Sequence, residues 1–156
     1  MSLNIILHEP EIPQNTGNIA RTCVITGASL HIIKPTGFSL DSRYVKRAGL
    51  DYWDLLDLTI YNDFEDFLKR TEAKKIYCAS TKAKEIYSDH QYSDPTFIMF
   101  GKETAGLPQN ILDQYASSLI RVPMIKNDSA RSLNLSNTVA IVAYEVMRQW
   151  NFVGLY

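Results

Sequence analysis

Two kinds of apolar pattern run along this chain. Short, nearly continuous apolar stretches at residues 3–7, 29–34, 58–61, 75–80, 97–100 and 119–122 read as buried strands bounded by Pro, Gly, Asn and Asp. Between them lie segments with helical spacing. Gly27 marks the C-cap of a helix from about residue 19 to 26, fed by a turn-rich loop at Asn15-Thr16-Gly17-Asn18. Asp41 or Ser42 can cap a short basic helix carrying Arg43, Lys46 and Arg47 and closed by Gly49. Asn62 or Asp63 can cap another that bears Phe64, Phe67 and Leu68 on one side, and Leu107-Pro108 opens a helix reaching about Tyr115.

The most ordered pattern comes last. Leu135, Val139, Val142, Val146 and Trp150 recur at spacings of four, three, four and four, one stripe of a helix. Ala140, Ile141, Ala143 and Tyr144 make most of the remaining surface apolar too. A helix apolar nearly all round must be covered on more than one side, by its own domain and by a second subunit. Asn134, Ser136 and Asn137 each offer an oxygen to the orphan N–H groups at its start. Two readings stay open here: a capped core helix, or a helix start that also receives an electron-rich ligand group.

Strands alternating with helices imply an α/β fold with a mostly parallel sheet flanked by helices. Ligands in such sheets bind beyond the carboxyl ends of the strands, which selects the loops after Ser80, Phe100 and Val122.

Composition narrows the function classes. A length of 156 residues suits one domain, 1–156, with a sizeable core. With 16 Lys and Arg against 17 Asp and Glu, the formal net charge of −1 announces no nucleic-acid partner globally, so any basic surface must be local. Cys23 and Cys78 lie within apolar runs and lack metal-ligand spacing, which fits buried thiols in a reducing cytoplasm. No secretory signal or membrane-length span is expected. His8, His31 and His90 are scattered, so no metal is expected.

The loop after Phe100, Gly101-Lys102-Glu103-Thr104-Ala105-Gly106, invites a phosphate-loop reading and fails it: Thr96 stands where the first glycine is required, and Glu103 replaces the needed Ser or Thr. A Rossmann glycine fingerprint and a nucleophile elbow are also missing. Gly101 and Gly106 can still admit a ligand close to the backbone, with the Glu103 carboxylate between them. Arg21 sits near the start of its expected helix, where a cation gains little from the dipole, and its neighbours are mostly apolar.

Three segments in order, Asn15 to Arg21, Met99 to Pro108, and Ile120 to Met124 with Arg131 to Asn137, resemble the three motifs of the SPOUT superfamily of RNA methyltransferases, 2′-O-methylating branch. Residues 9–18 and 48–52 look closer still to the group that methylates the wobble nucleotide of tRNA. The resemblance covers nearly the whole chain. It implies a carboxyl-terminal deep trefoil knot, a homodimer, S-adenosylmethionine as cofactor, and tRNA as partner, with transfer to the wobble ribose 2′-hydroxyl. It places the cofactor among Ala79, Ser80, Gly101, Glu103, Gly106, Ile120, Val122, Ser132 and Leu133. Ser132 and Asn134 would line the place where methyl and hydroxyl meet, with Arg21 and Asn134 catalytic. Asn15, Arg43, Arg47, Lys102 and Arg131 would meet the RNA. A guanidinium with pKa above about 12 is not a base near neutrality, so Arg21 is expected to act as a fixed cation toward a phosphate or the developing alkoxide. Another RNA target, or a non-catalytic RNA-binding module that kept the fold, are the competing expectations.

Overall fold

The computed structural model describes residues 1–41, 43–48, 52–127, 129 and 132–156. Six strands form one sheet: β1 (Leu3–His8), β2 (Ser29–Ile33), β3 (Leu58–Tyr61), β4 (Ile76–Ala79), β5 (Thr96–Phe100) and β6 (Leu119–Ile120). Their order across the sheet is β3-β2-β1-β5-β4-β6, and every pairing is parallel. Five helices connect them: α1 (Pro13–Thr26), α2 (Arg43–Ala48), α3 (Phe64–Thr71), α4 (Gln109–Gln114) and α5 (Leu135–Gln149).

Side chains of a strand alternate between faces, and the core divides accordingly. Leu3, Ile5 and Leu7 of β1 join Ile98 and Phe100 under α1 and α5. Ile6 and Met99 point the other way, against Phe67 of α3 and Ile111 and Leu112 of α4. A sheet covered on both faces requires strands apolar throughout, which is why the strands read as continuous runs. The chain steps outward from β1 through β2 to β3, then resumes on the other side of β1 with β4 and β5. The crevice at such a reversal, beyond the carboxyl ends of β1 and β5, is where α/β sheets bind ligands.

Two expectations need correction. The Asn15–Asn18 stretch is not a loop: α1 begins six residues before the expected start, at Pro13. Proline is tolerated at a first helical position, and the backbone N–H groups of Glu11 and Ile12 are taken by the Glu103 carboxylate at 2.8 and 3.1 Å. A distant carboxylate supplies the cap that the local sequence lacks. Second, β6 ends at Ile120. Arg121 continues the line by bridging to residues 85–87, donating its N–H to the Glu85 carbonyl and accepting from Tyr87 N–H, both at 3.0 Å. Within one chain the final helix is covered on one side: Val139, Val142, Ala143 and Val146 are buried while Ile141 and Tyr144 are exposed. The caps are now assigned, with Asp63 accepting from Asp66 N–H and Asn134 from Ser136 and Asn137 N–H. Ser42 and Gly49, expected to bound α2, lie outside the described residues.

The segment between β4 and β5 is fastened to the end of α5. Gln149 donates to the His90 carbonyl and accepts from Tyr92 N–H, and the Trp150 indole donates to the Tyr92 carbonyl at 2.9 Å.

Candidate active site

At the carboxyl ends of β4, β5 and β6 three loops enclose a cavity of about 570 Å³. Its size suits a ligand of cofactor dimensions. The nine residues expected to hold a cofactor, from Ala79 to Leu133, all border it. Leu107, Leu112 and Val142 give it apolar walls, while Lys82, Lys102 and Arg121 bring positive charge to its rim. Lys82 is one of the loop cations that the sequence places near the site for RNA contact, whereas Arg121 and Thr138 carry no expected role: Arg121 sits in an expected strand, and Thr138 lies off the apolar stripe of α5.

The loop between Gly101 and Gly106 folds back on itself. Gly106 N–H donates to the Lys102 carbonyl at 2.8 Å, and Gly106 takes a left-handed φ of 68°. A methyl group on Gly101 would stand 2.1 Å from the Gly106 carbonyl carbon and 2.2 Å from the Leu107 nitrogen. Only glycine permits that crossing.

The same loop is clamped to the start of α1. Besides capping Glu11 and Ile12, Glu103 Oε1 accepts from Asn15 Nδ2 at 3.1 Å. In return Glu11 accepts from the Thr104 N–H and hydroxyl, which holds the Glu11 carboxyl below the usual carboxylate range. Lys102 pairs with Glu9 at 3.4 Å. So although Glu103 borders the cavity, its carboxylate is committed to backbone and amide donors of residues 11–15. A direct cofactor contact through that carboxylate is therefore not what the geometry offers.

Asn15, expected to meet RNA, is 5% exposed and spends its amide internally. Asn134 Nδ2 donates to Asn15 Oδ1 at 3.0 Å. Asn134 Oδ1 accepts from Ser136 N–H at 2.9 Å and from the Ser136 hydroxyl at 2.7 Å. Thus Asn134 caps α5 beside Ser132 and Leu133 without itself bordering the cavity.

Arg21 is exposed, and its guanidinium lies over the Tyr52 ring at 5.0 Å from the centroid. It does not border the cavity of its own chain. Six positions separate it from Asn15, which on a helix means roughly 9 Å of rise and a turn of about 240°, a different face. Asn18, Arg21 and Ile25 share that outward stripe, all exposed. Ile25 leads directly into an apolar hollow formed with Tyr144, Phe152, Leu155 and Tyr156. Arg43 and Arg47 are exposed on α2, which packs against α1. Arg131 lies outside the described residues.

Among the described residues, no group of three or more His, Cys, Asp or Glu is disposed to hold a metal ion, and no helix is long and apolar enough to cross a membrane. Cys23 and Cys78 are buried, and burial pushes both thiols up to about 12.

Comparison with known proteins converges on one family. An Escherichia coli (strain K12) tRNA (cytidine(34)-2′-O)-methyltransferase is 46% identical over 153 residues, covering 97% of this chain and 96% of its own. A Listeria monocytogenes serotype 4b (strain F2365) protein provisionally assigned the same activity is 49% identical over 158 residues, covering 99% of this chain and 92% of its own. A solved structure described as giving insight into the 2-OH methylation of C/U34 on tRNA superposes with a TM-score of 0.91 at 37% identity, covering 97% of both chains. The model of the SpoU rRNA methylase family matches residues 2–144, nearly the whole chain from β1 into α5. With that match and relatives of this similarity, the chain belongs to the SpoU rRNA methylase family.

Proposed function

We propose that this protein is an S-adenosylmethionine-dependent tRNA 2′-O-methyltransferase acting on the ribose of the wobble nucleotide, cytidine or uridine. The observation that carries the reading is the cavity where residues 79–82, 101–107, 120–124 and 132–133 converge, in a chain whose relatives are named for that activity. Its donor set fits the cofactor: apolar walls and peptide groups for a neutral purine and ribose, and Lys82 and Arg121 at the rim for a carboxylate. When bound, S-adenosylmethionine supplies a methyl group made electrophilic by a sulfonium.

The chain's own residues bind, orient and stabilise. Ser132 and Leu133 enter the cavity next to Asn134, whose second amide hydrogen has no partner among the described residues and can donate toward a ribose oxygen. Arg21 supplies the cation that steadies negative charge growing on that oxygen or holds the adjoining phosphate. Because Arg21 does not border its own cavity and shares an exposed stripe of α1 with Ile25, which borders the apolar hollow with Tyr144, the reading includes a homodimer in which Arg21 serves the partner's site. Ile25 is 48% and Tyr144 44% exposed, and burying the rest of each in a second copy adds roughly half of the 1.5–3 kcal/mol that full burial of a large apolar side chain brings. Arg43, Arg47 and Lys102 then form a local basic surface for tRNA, with Arg131 in the same role. Asn15 is left out of it.

The single domain 1–156 in this reading carries the carboxyl-terminal trefoil knot. Supporting it, residues 85–87 pair with Arg121 and residues 90–92 are tied to the end of α5, contacts between the segment after β4 and the carboxyl-terminal part of the chain. A cytoplasmic location follows from the tRNA substrate and the reduced, buried cysteines. The test is incubation of purified tRNA species with the protein and S-adenosylmethionine, followed by nucleoside mapping. A 2′-O-methyl group at position 34 supports the reading, and methylation elsewhere or none overturns it.

A further inference from the structure

We propose that Glu103 is a positioning residue that fixes the sense of the Asn15 amide and through it the position of Asn134, rather than a ligand of the cofactor. The inference rests on the methyltransferase reading and deepens it. Three side chains from three separate motifs are joined in one directed chain of hydrogen bonds. Glu103 Oε1 accepts from Asn15 Nδ2, Asn15 Oδ1 accepts from Asn134 Nδ2, and Asn134 Oδ1 accepts from the start of α5.

An amide side chain can be turned over to exchange its oxygen and nitrogen, and no hydrogen bond within its own helix fixes Asn15. Here both ends of the chain are fixed by chemistry. A carboxylate has only acceptors, so Asn15 must present its NH₂ to Glu103 and its oxygen to Asn134. The first turn of α5 offers the Ser136 and Asn137 N–H groups, which can only donate, and the Ser136 hydroxyl, so Asn134 presents its oxygen to the helix and its NH₂ to Asn15. Reversing either amide sets donor against donor at one end. The arrangement leaves Asn134 with one amide hydrogen that has no partner among the described residues, directly after Ser132 and Leu133, which border the cavity. Glu103 can impose this because its own position is fixed twice more, by the Glu11 and Ile12 N–H groups. Its neighbour Thr104 is held in turn by Glu11. The loop that borders the cavity and the helix that bears Arg21 are thereby locked in register with Asn134.

The experiment compares Glu103→Leu, Glu103→Gln, Asn15→Ala and the double variant Glu103→Leu/Asn15→Ala in the full-length protein. The readouts are kcat for tRNA methylation, Kd for S-adenosylmethionine by calorimetry, and the melting temperature. Glutamine keeps one oxygen for Asn15 and Ile12 and gives up only the bond from Glu11 N–H, so Glu103→Gln is expected to retain activity within a few-fold. Loss of orientation in Glu103→Leu and Asn15→Ala should lower kcat by about ten- to a hundred-fold with Kd little changed. The double variant should be no worse than the poorer single one, since both cut the same chain. A Kd that weakens in step with kcat, losses that multiply in the double variant, or a glutamine variant as inactive as leucine would each overturn the proposal. An activity-independent readout separates this from failure of the methyltransferase reading. The Asn134 side-chain amide signals in a ¹⁵N spectrum should shift in Glu103→Leu and stay near their wild-type positions in Glu103→Gln, whether or not the wild type methylates tRNA. If they do not move in Glu103→Leu, the relay is refuted even where methylation is found.

Discussion

Replacing Gly101 by alanine is the sharpest perturbation of the cavity that a single methyl group can make. The added carbon would lie 2.1 Å from the Gly106 carbonyl carbon, 2.2 Å from the Leu107 nitrogen and 2.6 Å from the Gly106 oxygen. All three are backbone atoms, so no side chain can swing aside. Ordinary contact requires the two sides of the loop to separate by more than about 1 Å, a displacement that typically costs roughly 1–3 kcal/mol when forced on a packed site. The loop cannot absorb it freely, because the Gly106–Lys102 hydrogen bond and the Glu103 clamp hold it at both ends. Gly106→Ala is the matched control. Its added carbon meets nothing within 4 Å, but its φ of 68° strains an L-residue by about 1–2 kcal/mol. The two variants therefore lose comparable stability for different reasons, and only one deforms the cavity. In calorimetry with S-adenosylmethionine, Gly101→Ala should lose at least about ten-fold in affinity, equivalent to about 1.4 kcal/mol, while Gly106→Ala loses much less. Equal affinity in wild type and Gly101→Ala, or the reverse ranking of the two variants, would refute the reasoning.

Two further outcomes follow from other parts of the molecule. His31 is 8% exposed, its ring nitrogens 2.8 Å from the Tyr61 hydroxyl and 3.0 Å from Asn4 Oδ1, and burial lowers its pKa from 6.5 to about 4. The neutral ring is the folded form, so this stability is fully present above pH 6.5 and drains away as pH falls toward 4, by up to about 3 kcal/mol. Urea unfolding at pH 7.5 and 4.5 should show a wild-type decline that His31→Gln reduces; parallel declines would remove His31 as a cause. The exposed stripe at Ile25 and Tyr144 should hold two copies together, so Ile25→Asp should shift sedimentation toward monomer while leaving the melting of the sheet domain near wild type. A wild type that sediments as a monomer at micromolar concentration would remove the dimer.

Most of the sheet was legible because a strand covered on both faces must be apolar at every position, as Ile5-Ile6-Leu7 and Ile98-Met99-Phe100 are. Once the strands were placed, the rule that α/β sheets bind ligands beyond their carboxyl ends selected the cavity loops. What escaped depended on partners remote in sequence. The start of α1 was missed because Asn15, Thr16, Gly17 and Asn18 are weak helix formers, and the carboxylate that caps them lies 92 residues from Glu11. The same distance hid the role of Glu103, which looked like a free carboxylate in a glycine loop. Arg21 was marked by its odd placement in an apolar helix, but the direction it faces is set by the turn of α1. No spacing along one chain could have shown that it does not border its own cavity.

The placement of Arg21 also gives the most direct test of the mechanism. Chains carrying Arg21→Ala keep an intact cavity, and chains carrying Gly101→Ala keep an intact arginine. Each alone should form inactive dimers. Mixed and re-equilibrated in equal amounts, they should regain methylation at position 34 to about a quarter of the wild-type rate, because half the dimers are mixed and each then holds one complete site. If mixed dimers form, as a tag pull-down would show, and methylation stays absent, the arginine does not act across the dimer and the mechanism fails.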